Sequence, residues 1–187
     1  EKVCKYIDIP LQHASNPILK SMNRHETKAE IETLLAKLRK EIPNITIRTT
    51  FMVGYPGETE EDFATLKSFV AEQRFENAGV FEYSQEENTF AGKMLGQIEP
   101  EVKEERFHEL MALQAEISEE IHRDREDQEL EVLIEGFMED EPDKAIARSM
   151  HEAPDIDGSI FIENAKGLEI GKFYTVRIVQ GFTYEMV

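Results

Sequence analysis

Residues 51–63 (F-M-V-G-Y-P-G-E-T-E-E-D-F) have the residue types and the spacing of a ligand-binding turn. They predict the end of a buried strand, a tight turn and the start of a helix. Gly54, Pro56 and Gly57 interrupt regular structure, and glycine lets the backbone come close to a ligand. In α/β proteins such a turn commonly holds a small polar ligand. A turn without a ligand has the same pattern, so the pattern alone leaves both interpretations open.

Polar residues also follow the two neighbouring predicted strands. Residues 12–15 (Q-H-A-S) come after a strand predicted over residues 3–11, and residues 83–87 (Y-S-Q-E-E) follow a strand predicted over residues 78–83. Helical patterns separate the strands, and two of them start with capping boxes, T-K-A-E and T-E-E-D. Because the carboxyl ends of parallel strands meet at one edge, we expect the three polar segments to lie together.

The pattern changes near residue 124. Before it, strands alternate with helices, which predicts a doubly wound sheet or part of a (β/α) barrel, and the last of these helices starts at Pro100. After it, short strand candidates follow one another without helices, as in a small β-barrel or sandwich. These candidates are residues 130–134, 145–150, 159–162, 173–179 and 182–187. We therefore predict an α/β domain over residues 1–123 and an all-β domain over residues 124–187.

Three side chains have chemistry that the sequence leaves undecided. His13 is either a ligand contact or a hydrogen-bonded structural residue. Glu58 either contacts a ligand or interacts with a helix dipole. Cys4 is the only cysteine, and we expect it to be buried. A single cysteine excludes a disulfide framework and a cysteine-only metal site, and the histidines lack metal-ligand spacing, so we expect no metal site in this chain.

The formal net charge is −18, which disfavours nucleic-acid binding by a broad basic face. Residues 121–187 contain 7 Lys and Arg against 16 Asp and Glu, and so carry half of this excess in about a third of the length. Acidic side chains at this density either keep the surface soluble or attract a basic partner. No apolar run is long enough to span a membrane, and no signal peptide is visible. We expect a cytoplasmic protein, and the opening at Glu1 suggests a fragment of a longer one.

Four stretches resemble one protein family. They are Y-I-D-I-P-L-Q-H-A-S (6–15), R-T-T-F-M-V-G-Y-P-G-E-T-E-E-D-F (48–63), G-V-F-E-Y-S-Q-E-E-N-T (79–89) and E-A-P-D-I-D-G (152–158). The family is the radical S-adenosylmethionine methylthiotransferases. The resemblance implies the second half of a partial, TIM-like (β/α) barrel, followed by a TRAM domain, which is a small OB-like barrel.

The resemblance also implies which residues form the sites. The S-adenosylmethionine pocket would be lined by Gln12, His13, Ser15, Val53, Gly54, Tyr55, Pro56, Gly57, Glu58, Phe81 and Tyr83. The acids implied at the partner-binding surface of the TRAM domain are Glu152, Asp155 and Asp157. No catalytic residue and no metal ligand is implied within these residues.

The implied reaction adds a methylthio group to the β-carbon of an aspartyl residue in small-subunit ribosomal protein S-twelve. A 5′-deoxyadenosyl radical made from S-adenosylmethionine would first abstract a hydrogen from that carbon. Such enzymes use two 4Fe-4S clusters, whose cysteine ligands lie outside this chain, so we expect these 187 residues to be inert alone. Protein S-twelve is basic, which suits docking on the acidic TRAM domain.

Two alternatives stay open. One is a MiaB-type tRNA adenosine methylthiotransferase, although those relatives usually have P-V-Q-S-G-S where this chain has residues 10–15 (P-L-Q-H-A-S). The other is a non-catalytic protein-binding module.

Overall fold

The computed structural model describes residues 3–187, which form two compact units. The α/β unit comprises Ile7–Gln114, and the β unit comprises Ala115–Val187 with the described residues up to Tyr6. The chain passes from one unit to the other within a single long helix, between Gln114 and Ala115. The domain boundary at residues 123 and 124 stays a prediction.

Helices alternate with strands up to Arg123. The order is β1 (Tyr6–Gln12), α1 (Asn16–Ser21), α2 (Lys28–Glu41), β2 (Thr46–Val53), α3 (Glu60–Gln73), β3 (Asn77–Glu82), a short 3-10 helix (Ala91–Lys93) and α4 (Pro100–Arg123). The strands form one sheet in the order β1-β2-β3. Strands β2 and β3 are parallel, with Val53 opposite Glu82, so their carboxyl ends lie side by side.

The two predicted capping boxes define where α2 and α3 begin. Thr27 caps α2 with Glu30, and Thr59 caps α3 with Asp62; in each pair both reciprocal hydrogen bonds form. These bonds satisfy backbone amides that the first helical turn leaves without partners. They therefore determine where the loop that precedes each helix must end.

Aromatic side chains form the centre of the α/β unit. Phe51 of β2 packs edge-on against Phe69 of α3 and against Phe75, with ring centroids 6.3 and 5.7 Å apart. All three are 0% exposed. Burying one such ring stabilises the fold by about 2–3 kcal/mol, so this cluster holds α3 firmly against the sheet.

The β unit contains a second, five-stranded sheet. Its strands are β4 (Glu129–Phe137), β5 (Ala145–Arg148), β6 (Ser159–Ile162), β7 (Phe173–Arg177) and β8 (Glu185–Met186). The order is β7-β4-β5-β6-β8, antiparallel except for β6 and β8, and a bulge between Ile134 and Gly136 bends β4. The core of this unit consists of Val132, Ile134, Ala145, Ala147, Ile160, Ala165, Ile178 and Met186.

The predicted fold class, an α/β segment followed by a small all-β domain, is confirmed. The predicted burial of Cys4 is wrong, because its side chain is exposed. Cys4 precedes β1, which begins only at Tyr6, and so lies outside the sheet that was expected to cover it. Among the described helices, none combines the length and the hydropathy needed to cross a membrane.

Candidate functional site

Two of the three polar strand-end segments contact each other directly. His13, which follows β1, places its Nε2 atom 3.5 Å from the Glu58 carboxylate in the turn between β2 and α3. Ser15 donates a hydrogen bond from its hydroxyl to Asp62, the capping residue of α3. Residues 12–15 and 53–58 therefore form one structure, which we call the strand-end turn pair.

The His13 ring is completely buried, and its surroundings determine its tautomer. Its Nδ1 atom accepts a hydrogen bond of 2.9 Å from the Ser15 amide. In a neutral imidazole the proton must then be on Nε2, the atom that faces Glu58. Within residues 3–187 this Nε2 atom has no hydrogen-bond partner in ideal geometry. The Nε2 N–H of a neutral His13 ring therefore faces the Glu58 carboxylate at 3.5 Å without a hydrogen bond.

Glu58 is buried, and its carboxylate is surrounded by donors from this chain. Its Oε2 atom accepts from the Gly54 amide at 2.9 Å, and its Oε1 atom accepts from Arg106 Nη1 at 2.8 Å. Helix α3 begins at Glu60 with Thr59 as its N-cap, so Glu58 precedes the helix. The predicted placement of Glu58 in the first turn of the helix is therefore wrong, and the hydrogen-bond partners of its carboxylate are the donors named above.

Gln12 has a left-handed backbone conformation, with φ of 70°. The His13 amide donates across it to the Leu11 carbonyl at 2.9 Å, which closes a tight γ-turn with Gln12 at its centre. Non-glycine residues rarely take such a conformation, and strained residues of this kind cluster at ligand-binding sites. The strain makes Gln12 the candidate for a ligand contact in this loop.

The glycines of the second loop also have positive φ, 72° for Gly54 and 84° for Gly57. A Cβ atom at Gly54 would overlap the Lys103 side chain, whereas one at Gly57 would meet nothing within 4 Å. The Gly57 amide donates to the Gly96 carbonyl at 2.9 Å. The turn is therefore closely packed at Gly54, whereas a side chain at the exposed Gly57 would meet no neighbour.

Aromatic and sulfur-containing side chains pack beside the turn. Tyr55 and Tyr83 meet edge-on at 5.4 Å between ring centroids, and Met94 packs against them. Tyr83 is buried, and its hydroxyl has no hydrogen-bond partner within the described residues. Phe81 is 60% exposed and so cannot form a closed wall within this unit.

The chemistry of these groups fits S-adenosylmethionine. The buried Tyr83 hydroxyl has no hydrogen-bond partner within the described residues and lies beside the apolar side chains of Tyr55 and Met94, and a nucleoside ligand needs both kinds of contact. An iron–sulfur cluster does not fit. Its cysteine ligands are lacking, since Cys4 is the only cysteine, and residues 3–187 contain no group of His, Cys, Asp or Glu placed to hold a metal.

Two basic residues of α4 that the sequence motifs did not indicate also belong to this site. Arg106 is 4% exposed and bonds Glu58, while Lys103 donates to the Tyr83 carbonyl at 3.1 Å and lies over the Tyr83 ring. The spacing of Arg106 was a usable signal. Arg106 lies four residues before Leu110, on the same buried face of the helix. An arginine at a position where an apolar side chain is expected indicates a buried charge that needs a partner.

Within the β unit, residues 152–158 form a compact turn in which two of the three acids already have partners. The Ser149 amide and hydroxyl donate to Glu152 at 2.7 Å each, and the Ala153 amide and the Tyr6 hydroxyl donate to Asp157 at 2.8 and 2.6 Å. Glu152 is 7% exposed. Asp155 is exposed at the tip of the turn, and we retain it as the best candidate for a partner contact.

Comparison with known proteins places both units in known families. Residues 1–70 match the Radical SAM superfamily, and residues 128–187 match the TRAM domain. The chain is 47% identical to the ribosomal protein uS12 methylthiotransferase RimO of Geotalea uraniireducens and 49% identical to that of Caldanaerobacter subterraneus, over 187 residues in both cases. The chain belongs to the radical S-adenosylmethionine methylthiotransferase family.

The two matches come in the predicted order, a radical S-adenosylmethionine barrel segment followed by a TRAM domain. The RimO protein of Geobacter sulfurreducens is 46% identical over 186 residues. In these three comparisons the whole chain is aligned, but it spans only 41–42% of the length of each relative. The similarity to methylthiotransferases therefore concerns less than half of those enzymes.

Proposed function

We propose that this chain is part of a methylthiotransferase that modifies an aspartyl residue of ribosomal protein uS12, the S-twelve protein of the small subunit. The observation that supports this proposal is identity of 46–49% to RimO proteins across both units. A basic ribosomal protein as substrate also suits the net charge of −18 and a cytoplasmic location.

The strand-end turn pair would form one side of the S-adenosylmethionine pocket. Gln12 and Tyr83 would contact the ligand directly, and the open end of the turn at Gly57 would face it. S-adenosylmethionine supplies the radical chemistry when it is bound beside a cluster, and the residues of this chain would orient it and exclude water. Because the cluster ligands are not among these 187 residues, we propose that the chain alone does not cleave the cofactor.

The reaction is tested by gene replacement. A bacterium that lacks its own uS12 methylthiotransferase and its own tRNA methylthiotransferase receives the gene that encodes this chain within its natural reading frame. We expect uS12 to gain the mass of one methylthio group in that strain, while a gene for the 187 residues alone leaves uS12 unmodified. Methylthiolated tRNA with unmodified uS12 would instead establish the MiaB-type alternative.

The acidic TRAM domain would be the docking site for uS12. Asp155 is exposed at the tip of residues 152–158, and the surrounding charge is negative. We expect Asp155→Lys to weaken binding of uS12 to the chain by about 2- to 10-fold, because one charge of an interface reverses sign. Glu87→Lys is the matched control, since Glu87 is an exposed loop acid of the other unit.

Titration calorimetry at two salt concentrations measures this effect. We expect higher salt to weaken uS12 binding, because the attraction between exposed charges is screened. Equal loss in both variants would contradict docking at Asp155, and tight binding of tRNA with none of uS12 would contradict the proposed substrate. A module without catalytic function would bind uS12 but leave it unmodified in the gene-replacement strain.

A further inference from the structure

We propose that Glu58 is an internal anchor rather than a cofactor contact, and that Arg106 is the positioning residue that holds it. The inference rests on the proposed function, since it concerns the same S-adenosylmethionine pocket. It reverses the role that the family resemblance implied for Glu58, and it adds a residue of α4 to the pocket.

Both oxygens of the Glu58 carboxylate already accept a hydrogen bond from this chain. Oε1 accepts from Arg106 at 2.8 Å, and Oε2 accepts from the Gly54 amide at 2.9 Å while facing His13 at 3.5 Å. The Glu58 side chain is 0% exposed. A buried carboxylate with these partners would lose more by breaking them than one ligand hydrogen bond returns.

The Arg106 guanidinium joins α4 to the end of the turn and to the start of α3. Its Nη1 atom donates to the Glu58 carboxylate and, at 3.2 Å, to the Glu58 carbonyl, and its Nη2 atom bonds Glu60. The guanidinium also lies 5.4 Å from the centroid of the Phe63 ring. A planar group with several fixed donors can hold backbone and side chain together, which a lysine ammonium cannot do with the same geometry.

This anchor determines which groups the turn can offer a ligand. The Gly54 amide is used by Glu58, and the Gly57 amide is used by the Gly96 carbonyl. The turn therefore does not bind an anionic group through these two amides, in contrast to glycine-rich loops that bind phosphate. Arg106 acts on the pocket through Glu58. By holding the Glu58 carboxylate it sets the backbone conformation of Gly54, and that conformation shapes the pocket.

Amide hydrogen exchange of the 187-residue chain, followed by NMR, tests the role of Arg106. We expect Arg106→Gln to accelerate exchange at Gly54 by about tenfold or more. The Gly54 amide donates to the Glu58 carboxylate, and in this variant Arg106 no longer holds that carboxylate in place. Exchange at Gly57 should stay unchanged, since Gly57 uses a different acceptor. Arg106→Lys keeps the charge and should restore part of the protection.

Lys67→Gln is the matched control. Lys67 bonds Glu109 and so links α3 to α4 on the exposed surface, without touching Glu58. We expect normal exchange at Gly54 in this variant. Unchanged exchange at Gly54 in Arg106→Gln, or equal acceleration at Gly54 and Gly57, would overturn the positioning role. If Arg106→Gln fails to fold, the near-isosteric Glu58→Gln variant gives the same comparison.

Binding of S-adenosylmethionine is measured separately, with the same substitutions made in the protein that the natural reading frame encodes. If Glu58 is an anchor, Glu58→Gln weakens binding only together with faster exchange at Gly54. Weaker binding with unchanged Gly54 exchange would show that Glu58 is a cofactor contact and would refute the inference. A wild-type protein from that reading frame with no affinity for S-adenosylmethionine would contradict the proposed pocket, while the exchange comparison on the 187 residues would still decide the role of Arg106.

Discussion

Burial separates the polar residues of the strand-end turn pair into two groups. His13, Ser15 and Glu58 are at most 4% exposed, and each is used by another residue of the chain. Gln12 is partly exposed and has a strained backbone. The buried residues hold the loops in place. Gln12, which lies in one of these loops, is the residue available for a ligand. A sequence motif does not distinguish these two groups, because both need polar side chains in the same loops.

At Gly54 the backbone conformation and the packing both require glycine. We expect Gly54→Ala to lower the free energy of unfolding by about 2–3 kcal/mol, since the new Cβ strains a positive φ and displaces Lys103 from Tyr83. Gly57→Ala is the matched control, with a positive φ but open space, and should cost about 1 kcal/mol. Urea unfolding followed by tyrosine fluorescence measures both, and equal losses would contradict the packing role of Lys103.

Among the elements, helix α3 is tied to the loop after β1 as well as to its own cap. Asp62 accepts hydrogen bonds from the amide and hydroxyl of Thr59 at 2.9 and 2.6 Å, and from the Ser15 hydroxyl. An N-cap hydrogen bond contributes about 1 kcal/mol in an isolated helix. The additional bond from Ser15 makes the start of α3 part of the site.

The titration of Asp62 reports this connection. Burial raises the pKa of Asp62, but hydrogen bonds from Ser15 and Thr59 outweigh it and hold the pKa below the usual 3.8. The stability that these bonds contribute is present above pH 3.8 and is lost as the pH falls through the lower, folded-state pKa. We expect Ser15→Ala to raise the Asp62 pKa in a carboxyl NMR titration, and Ser21→Ala, a control at an unrelated serine, to leave it unchanged.

On the scale of the whole molecule, the two units respond to acid for different reasons. The β unit contains a half-buried cluster of His122, Arg125, His151 and Glu152. Burial and the nearby Arg125 lower the pKa of His151 to about 4. Burial also lowers the pKa of His122, and its Nδ1 atom bonds the Phe182 carbonyl at 2.6 Å. Both shifts favour the neutral ring in the folded protein.

Acid should therefore destabilise the β unit. Between the ordinary pKa of 6.5 and the folded value of about 4, the unfolded chain binds a proton at His151 that the folded chain does not. Stability should fall across this range as the pH decreases, by roughly 2 kcal/mol after allowance for solvent screening. Thermal unfolding at several pH values should show a smaller acid loss in His151→Gln, and the wild-type loss in His108→Gln, whose ring is exposed.

The sequence alone determined the elements and the family. Capping boxes, strand composition and the glycine turn are local signals, and local hydrogen bonds and steric limits decide them, so the predicted helices and strands formed. The tertiary structure decided the roles within the site. Whether Glu58 faces a ligand or a guanidinium depends on where α4 packs, and Arg106 is 48 residues away along the chain. The helical spacing of Arg106 indicates only that this residue is buried. Its partner, 48 residues away, leaves no local pattern, which is why the Glu58–Arg106 pair became visible only in the folded molecule.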